Sequence, residues 1–180
     1  MVEQRSGERI VSADLVACVE ETIAAATLRY FDREGEFARA VQEATGATLP
    51  KPLAVHEAVD SQLILAWRSP TETLCLARSR TRLTELIARL AGASEGCVVD
   101  LTGGVRIVRL TGVRIADLLC RLGGAASVPA VGKAHRSRLA DVPVLALAVR
   151  GGETFLVVDR AYLPHLLAWM RETLLDFDAG

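Results

Sequence analysis

Apolar residues recur along the chain with strand-like and helix-like spacings, and these spacings divide most of the sequence into two similar halves. In the first half they predict a strand near residues 26–31, a helix that Asp32 caps and Gly46 ends, and a connecting loop over 47–58. Two strands, a helix and a closing strand follow at 63–67, 73–77, 80–91 and 97–101.

The second half repeats this order. A strand at 105–110 precedes a helix that Thr111 caps and that Gly123 and Gly124 end. A three-strand meander and a last helix then follow at 135–139, 144–149, 154–158 and 161–175. We therefore interpret each half as a β-α-β-β-α unit, with one further strand closing the first.

Residues 1–22 precede these halves, and the pattern stays ambiguous as far as Tyr30. Leu15, Cys18 and Ile23 have helical spacing, whereas residues 25–30 alternate like a strand. We expect residues 1–22 to form an N-terminal tail and an irregular or helical lead-in.

The two halves also share letters. The run Leu65-Ala66-Trp67-Arg68 lies beside Leu147-Ala148-Val149-Arg150, and Glu-Thr follows the turn in each case. Split β-α-β units of this kind form antiparallel sheets with helices on one face. The sequence thus predicts an α+β fold of two ferredoxin-like halves, residues 23–101 and 102–180, packed into one body. Chance similarity of two amphipathic hairpins is the alternative.

Composition narrows the class of protein. Hydrophobic residues make up 51% of the 180 residues and aromatic residues only 4%, so the core is aliphatic. The apolar surplus fits either a subunit interface or a dense core of small residues. A net charge of -1 argues against nucleic-acid binding, and no apolar run is long enough to span a membrane. The charged N-terminus gives no export signal, so we expect a cytoplasmic protein with buried, reduced cysteines.

Three motifs carry a family resemblance. Trp67, Pro70 and Leu74 fit W-x-x-P-x-x-x-L, Asp100-Leu101-Thr102 is followed by Leu110-Thr111-Gly112, and a hairpin arm and helix span 154–169. Over roughly residues 47–177 the chain resembles the gamma subunit of heterotetrameric sarcosine oxidase. It shares its outline with the folate-binding domain of the glycine cleavage T protein.

This resemblance implies a non-catalytic accessory subunit in a flavin-dependent complex for sarcosine catabolism. Larger flavoprotein subunits would be its partners. By the same resemblance, those other chains would carry FAD, FMN and NAD and transfer the one-carbon unit to tetrahydrofolate, and this chain would bind no cofactor.

The resemblance has gaps. Val113 follows Gly112 where family members carry proline, and residues 123–129 replace the Cys-Pro-Leu-Asp or Asn-Asp stretch of the relatives. No carboxylate lies between Asp117 and Asp141, which argues against T-protein chemistry. The alternatives are a free-standing folate-binding protein and a divergent paralogue that acts as a homodimer.

Few residues are candidates for chemistry, and we expect neither a catalytic residue nor a metal site. His56, His135 and His165 are far apart, and the stretch 127–133 lacks the first glycine of a phosphate-binding loop. Asp100 could be a general base or ligand contact, but more often such a residue is a turn acceptor.

Three further residues are weak ligand or interface candidates. Arg136 and Arg138 share one strand face and could hold an anionic pterin-glutamate ligand or a partner's acidic patch, or simply be solvated. Trp67 could anchor an interface or pack in the core, and the same alternatives apply to Trp169.

Overall fold

The computed structural model describes residues 7–58 and 62–178, which form eleven strands and four helices. The strands are β1 (Arg9–Ser12), β2 (Leu15–Glu20), β3 (Ala24–Tyr30), β4 (Val55–Ala58), β5 (Leu63–Ser69), β6 (Glu72–Ala77), β7 (Gly96–Asp100), β8 (Val105–Gly112), β9 (Lys133–Leu139), β10 (Val142–Arg150) and β11 (Glu153–Asp159). The helices are α1 (Glu36–Thr45), α2 (Arg80–Leu90), α3 (Ile115–Gly123) and α4 (Leu163–Asp178).

The chain divides into two compact units. The first unit contains residues 22–103 and 132–134, and the second contains residues 7–21, 104–131 and 135–178, apart from positions outside the described ranges. The predicted α+β class is confirmed, because each unit has one antiparallel sheet and two helices, as expected for ferredoxin-like halves.

In the first unit, the sheet order is β4-β5-β6-β3-β7. Alternate residues of its strands pack with α1 and α2 in one apolar core, in which Phe37, Leu65 and Leu83 are fully buried. Ser79 caps α2 by accepting a hydrogen bond from the Arg82 backbone N–H at 3.3 Å. The buried residues that alternate along the strands therefore face those that recur every 3.6 residues along the helices, and together they form one core.

The second unit has the sheet order β1-β2-β8-β11-β10-β9. Its core joins one sheet face to α3 and α4, and Leu110, Leu119 and Met170 are fully buried there. Edge strands of the two sheets are β4 and β7 in the first unit, and β1 and β9 in the second.

The predicted lead-in is wrong, because residues 9–20 form the hairpin β1–β2 rather than an irregular or helical segment. Leu15, Ala17 and Val19 are buried and alternate with more exposed residues along β2, which pairs with β8. These buried positions recur every second residue, as in a strand. The same apolar residues also fit a helical spacing, and pairing with β8 stabilises the strand. The segment therefore adds two strands to the second unit.

The predicted loop over 47–58 is also partly wrong. Val55–Ala58 forms the edge strand β4 and pairs antiparallel with β5. Pro50 and Pro52 lie in the loop just before β4. The loop therefore ends before Val55 rather than at residue 58.

Two predicted helix caps are displaced as well. Asp32 accepts a hydrogen bond from Glu34 N–H at 2.9 Å in a local turn, and α1 begins four residues later at Glu36. Thr111 belongs to β8, where it pairs with Glu153, and α3 begins only at Ile115. Gly46 does end α1, in a left-handed conformation that favours glycine.

The hairpins β5–β6 and β10–β11 are equivalent in the two units. Each has a register shift just before its two-residue turn, between Trp67 and Ser69 in one and between Ala148 and Arg150 in the other. Trp67 pairs with Thr73 and Ala148 pairs with Thr154, so Trp67 is the structural equivalent of Ala148. The shared letters instead align Trp67 with Val149, one residue further along the chain. Turn geometry fixes the register more strictly than the shared letters do.

Candidate functional site

The sequence-predicted site residues are divided between the two units. Trp67 and Asp100 belong to the first unit, whereas Arg136 and Arg138 belong to the second.

Asp100 is held in local contacts at the end of β7. Its carboxylate lies 2.6 Å from the Arg80 guanidinium and accepts a hydrogen bond from the Thr102 N–H at 2.9 Å. Burial by itself would raise the pKa of Asp100, but the hydrogen bonds from Thr102 and the charge of Arg80 outweigh it and lower the pKa. An ionised carboxylate with these contacts closes a turn and is a poor general base.

Trp67 is half-buried near the end of β5. Its indole Nε1 is enclosed and has no hydrogen-bond partner among the residues that the structure describes. An unpaired buried donor of this kind costs about 1–3 kcal/mol. Because the nitrogen is shielded, the side chain can contribute packing but cannot readily donate to a bound ligand.

Arg136 and Arg138 lie on the edge strand β9 and are exposed. Arg138 donates to the Asp141 carbonyl oxygen at 2.7 Å, and its Nε lies 3.9 Å from the Asp141 carboxylate. Within residues 7–58 and 62–178, the Arg136 side chain has no ion-pair partner. The Arg136 guanidinium group thus remains available to an anion, whereas that of Arg138 is partly engaged by Asp141.

A groove of about 520 Å³ in the second unit brings Arg138 beside residues that the sequence did not group with it. We call it the Trp169 groove; its lining includes Arg121, Arg138, Asp141, His165, Trp169 and Thr173. The Trp169 ring is 52% exposed and lies 6.5 Å from the His165 ring, at a tilt of 60°. His165 Nε2 lies 3.1 Å from the Ala140 carbonyl oxygen.

A second groove, of about 530 Å³, lies in the first unit. We call it the Phe31 groove; its lining includes Arg29, Tyr30, Phe31, Glu72, Glu95 and Cys97. Phe31 is 90% exposed. The lining surface of this groove is mostly apolar, and its Arg29 side chain is engaged by Glu72 at 2.9 Å.

The Phe31 groove adjoins the free side of β7. Leu101 N–H bonds to Ala25 O and Phe31 N–H bonds to Glu95 O, so alternation turns the backbone groups of Gly96, Val98 and Asp100 away from β3. Among the described residues, none pairs with them through its backbone. The edge therefore carries open hydrogen-bonding groups.

The cysteines differ from the expectation that all are buried. Cys75 is fully buried, and burial raises its pKa to about 12. Cys97 and Cys120 are exposed, and all four thiols are free. The described residues contain no group of three His, Cys, Asp or Glu side chains that could hold a metal ion.

None of the helices in the described part of the chain has the length and apolar character needed to cross a membrane.

Comparison with solved structures defines the fold class. The chain superposes on a chain of the heterotetrameric sarcosine oxidase from Corynebacterium sp. U-96 with a TM-score of 0.81 and 24% identity, covering 96% of this chain and 90% of that one. The glycine cleavage aminomethyltransferase T from Bartonella henselae shares the fold at a TM-score of 0.59 and 14% identity, over 82% of this chain and 43% of that one.

Sequence comparison then gives the family. The sarcosine oxidase subunit gamma of Corynebacterium sp. (strain P-1) is 30% identical over 149 residues, which cover 79% of this chain and 71% of the relative. The subunit gamma of strain U-96 is 27% identical over 145 residues, covering 78% and 70%. No protein-family model matches the chain. The chain belongs to the sarcosine oxidase gamma subunit family.

Proposed function

We propose that this chain is a non-catalytic accessory subunit of a heterotetrameric sarcosine oxidase-like flavoenzyme complex. The observation that carries this proposal is its 30% identity to a sarcosine oxidase subunit gamma over 71% of that relative. The fold supports it, because the solved relative with a TM-score of 0.81 is a chain of a heterotetramer.

In this proposal the reacting groups belong to other chains. Larger flavoprotein subunits bind FAD, FMN and NAD and pass the one-carbon unit of sarcosine to tetrahydrofolate. We assign none of these groups to this chain, since Asp100 is engaged by Arg80 and Thr102 and the Trp67 nitrogen is enclosed. The cytoplasmic location expected from the sequence is part of the same proposal.

The role of this chain is then to present folded surfaces to the larger subunits. Arg136 and Arg138 are its exposed candidates for such contacts, on an edge strand. In the first unit, Trp67 contributes packing and Asp100 closes a turn.

Purification of the tagged chain from its native host tests the proposal. We expect larger, flavin-containing subunits and sarcosine-dependent oxygen consumption to co-purify with the wild-type chain. The chain produced alone should be colourless and inactive. Isolation of the lone chain with its own flavin, or with turnover of its own, would contradict the proposal.

Two further measurements separate the alternatives. Calorimetry of the lone chain with tetrahydrofolate should show no binding heat, whereas a free-standing folate-binding protein would show saturable binding. Light scattering of the lone chain reports whether it forms the homodimer of the second alternative.

A further inference from the structure

We propose that the Trp169 groove is a docking surface for an acidic segment of the larger flavoprotein partner. This inference rests on the proposed function and deepens it, since it assigns the contact to one face of the second unit. The chemistry it requires of the partner is carboxylate side chains flanking an apolar position.

The stretch of sequence that supplies both arginines of this groove is rich in basic residues. Residues 118–140 contain Arg121, Lys133, Arg136 and Arg138 but no Asp or Glu, although the whole chain has a net charge of -1. Arg121 and Arg138 come from the two ends of this stretch, and the fold brings both into the groove lining. The lining also contains one carboxylate, that of Asp141, so its guanidinium groups outnumber its carboxylates, and this balance favours an acidic partner surface.

Each of these guanidinium groups has a partner that occupies only part of it: Arg138 donates to the Asp141 carbonyl oxygen, and Arg121 lies over the Phe177 ring. Arg121 Nη1 lies 3.5 Å from the Asp176 carboxylate, and Arg138 Nε lies 3.9 Å from that of Asp141. Both carboxylates are mostly exposed, so the ion pairs are weak. A guanidinium group has five N–H donors, and a partner carboxylate can take two of them at once.

Trp169 supplies an apolar anchor in the same groove as the two arginines. Its neighbours Leu166 and Met170 are fully buried in the core, so the helix α4 that carries the indole is held in place. Exposed Trp and Arg side chains on a rigid element are the residue types that dominate binding energy at interfaces. The Phe31 groove lacks this combination, because its lining has no Trp and only one arginine, which pairs with the Glu72 carboxylate at 2.9 Å.

The test measures binding of the chain to the purified flavoprotein partner, separated from the tagged wild-type complex. Trp169→Ala should weaken binding about 30-fold, the size expected for a central anchor. The double variant Arg121→Glu/Arg138→Glu should weaken binding at least about tenfold at low salt, and by less at high salt because ions screen the contact.

Tyr162→Ala is the matched control. Tyr162 is 50% exposed against 52% for Trp169, lies in the same unit and is outside the groove lining. It should bind within about twofold of wild type. Circular dichroism and thermal melting should show that all three variants fold.

The outcomes distinguish failure of the docking inference from failure of the proposed function. If the wild-type chain binds and the Trp169 and arginine variants bind equally well, the docking inference is wrong and the proposed function stands. If Tyr162→Ala loses as much affinity as Trp169→Ala, the contact is not specific to the groove and the inference is again wrong. Failure of the wild-type chain to bind any flavoprotein overturns the proposed function, and the inference with it.

Discussion

The Trp169 groove and the Phe31 groove are similar in volume but differ in chemistry. The first combines an exposed indole with two weakly paired arginines, and the second combines an exposed phenyl ring with an engaged arginine and a free strand edge. Their units share the same hairpin, with a register shift at the equivalent point. The two units thus share a backbone fold but differ in their surface residues, and binding of a partner depends on the surface residues.

The largest expected contrast concerns thiol chemistry. Cys97 lines the Phe31 groove and is exposed, whereas burial raises the pKa of Cys75 from 9.0 to about 12. That increase alone lowers the thiolate fraction of Cys75 about a thousandfold near neutral pH. A thiol reagent should therefore label Cys97 and Cys120 in the native chain, and Cys75 only after unfolding, as peptide mass spectrometry can show.

Labelling of the complex sharpens the comparison of the grooves. Because the docking inference places the contact at the Trp169 groove, Cys97 should keep its labelling rate when the partner is bound. Protection of Cys97 would instead show that the partner also covers the Phe31 groove.

A steric prediction concerns the floor of the Phe31 groove. A Cβ at Gly96 would overlap the Phe37 ring and the Arg29 carbonyl, so Gly96→Ala should destabilise the chain by about 1–3 kcal/mol. Gly103→Ala is the control, since no atom lies within 4 Å of the added Cβ. Urea unfolding measures both variants, and equal midpoints would contradict the close contact of β7 with α1.

The next prediction compares two carboxylates. The contacts of Asp100 lower its folded-state pKa, so its charge stabilises the fold above the ordinary value near 3.8, and this contribution is lost as pH falls through the folded-state pKa. Asp100→Asn should cost about 0.5–1 kcal/mol at neutral pH and nothing once the wild-type residue is protonated.

Asp141→Asn is the matched control, because that side chain is 98% exposed and lies 3.9 Å from its arginine. It should leave the unfolding midpoint unchanged at every pH. Urea titrations of both variants across acidic and neutral pH make the comparison, and a pH-independent loss for Asp100→Asn would refute a charge effect.

The smallest effect is expected at the β9–β10 turn beside the Trp169 groove. Ala140 has a φ of 47°, a left-handed conformation that costs an L-residue about 1–2 kcal/mol. Glycine removes this strain but loses about 0.4–1 kcal/mol through the unfolded chain. Ala140→Gly should therefore stabilise the fold by about 0.5 kcal/mol, which thermal melting can detect as a small rise in Tm.

The sequence predicted the parts of the fold that depend on long, regular patterns. Strand alternation and helical spacing located β5, β6, β8, β11 and the four helices, since each pattern spans several turns or residue pairs. The hairpin β1–β2 was missed because a short apolar run fits both periods until its partner β8 is known. The start of α2 at Arg80 was predicted, whereas the starts of α1 and α3 were missed because caps depend on local geometry that tertiary pairing can displace.

For the candidate site, too, the sequence shows the composition of a segment but not which segments lie together in the fold. The absence of carboxylates over residues 118–140 is visible in the sequence, but the approach of Arg121 to Arg138 and Trp169 is set by the packing of α3, α4 and β9. Phe31 was assigned to a strand, but β3 ends at Tyr30 and Phe31 projects beyond it. Neither groove can be found from one segment of sequence alone.

The open edge of β7 affects how the chain behaves before it binds its partner subunits. Its five residues include no lysine, arginine or proline, the residues that usually discourage one sheet from adding to another. A copy released from the ribosome before its companions are present can stack strand to strand with other copies. Producing the subunits together would then protect the chain from aggregation, and its yield when made alone would fall as its concentration rises.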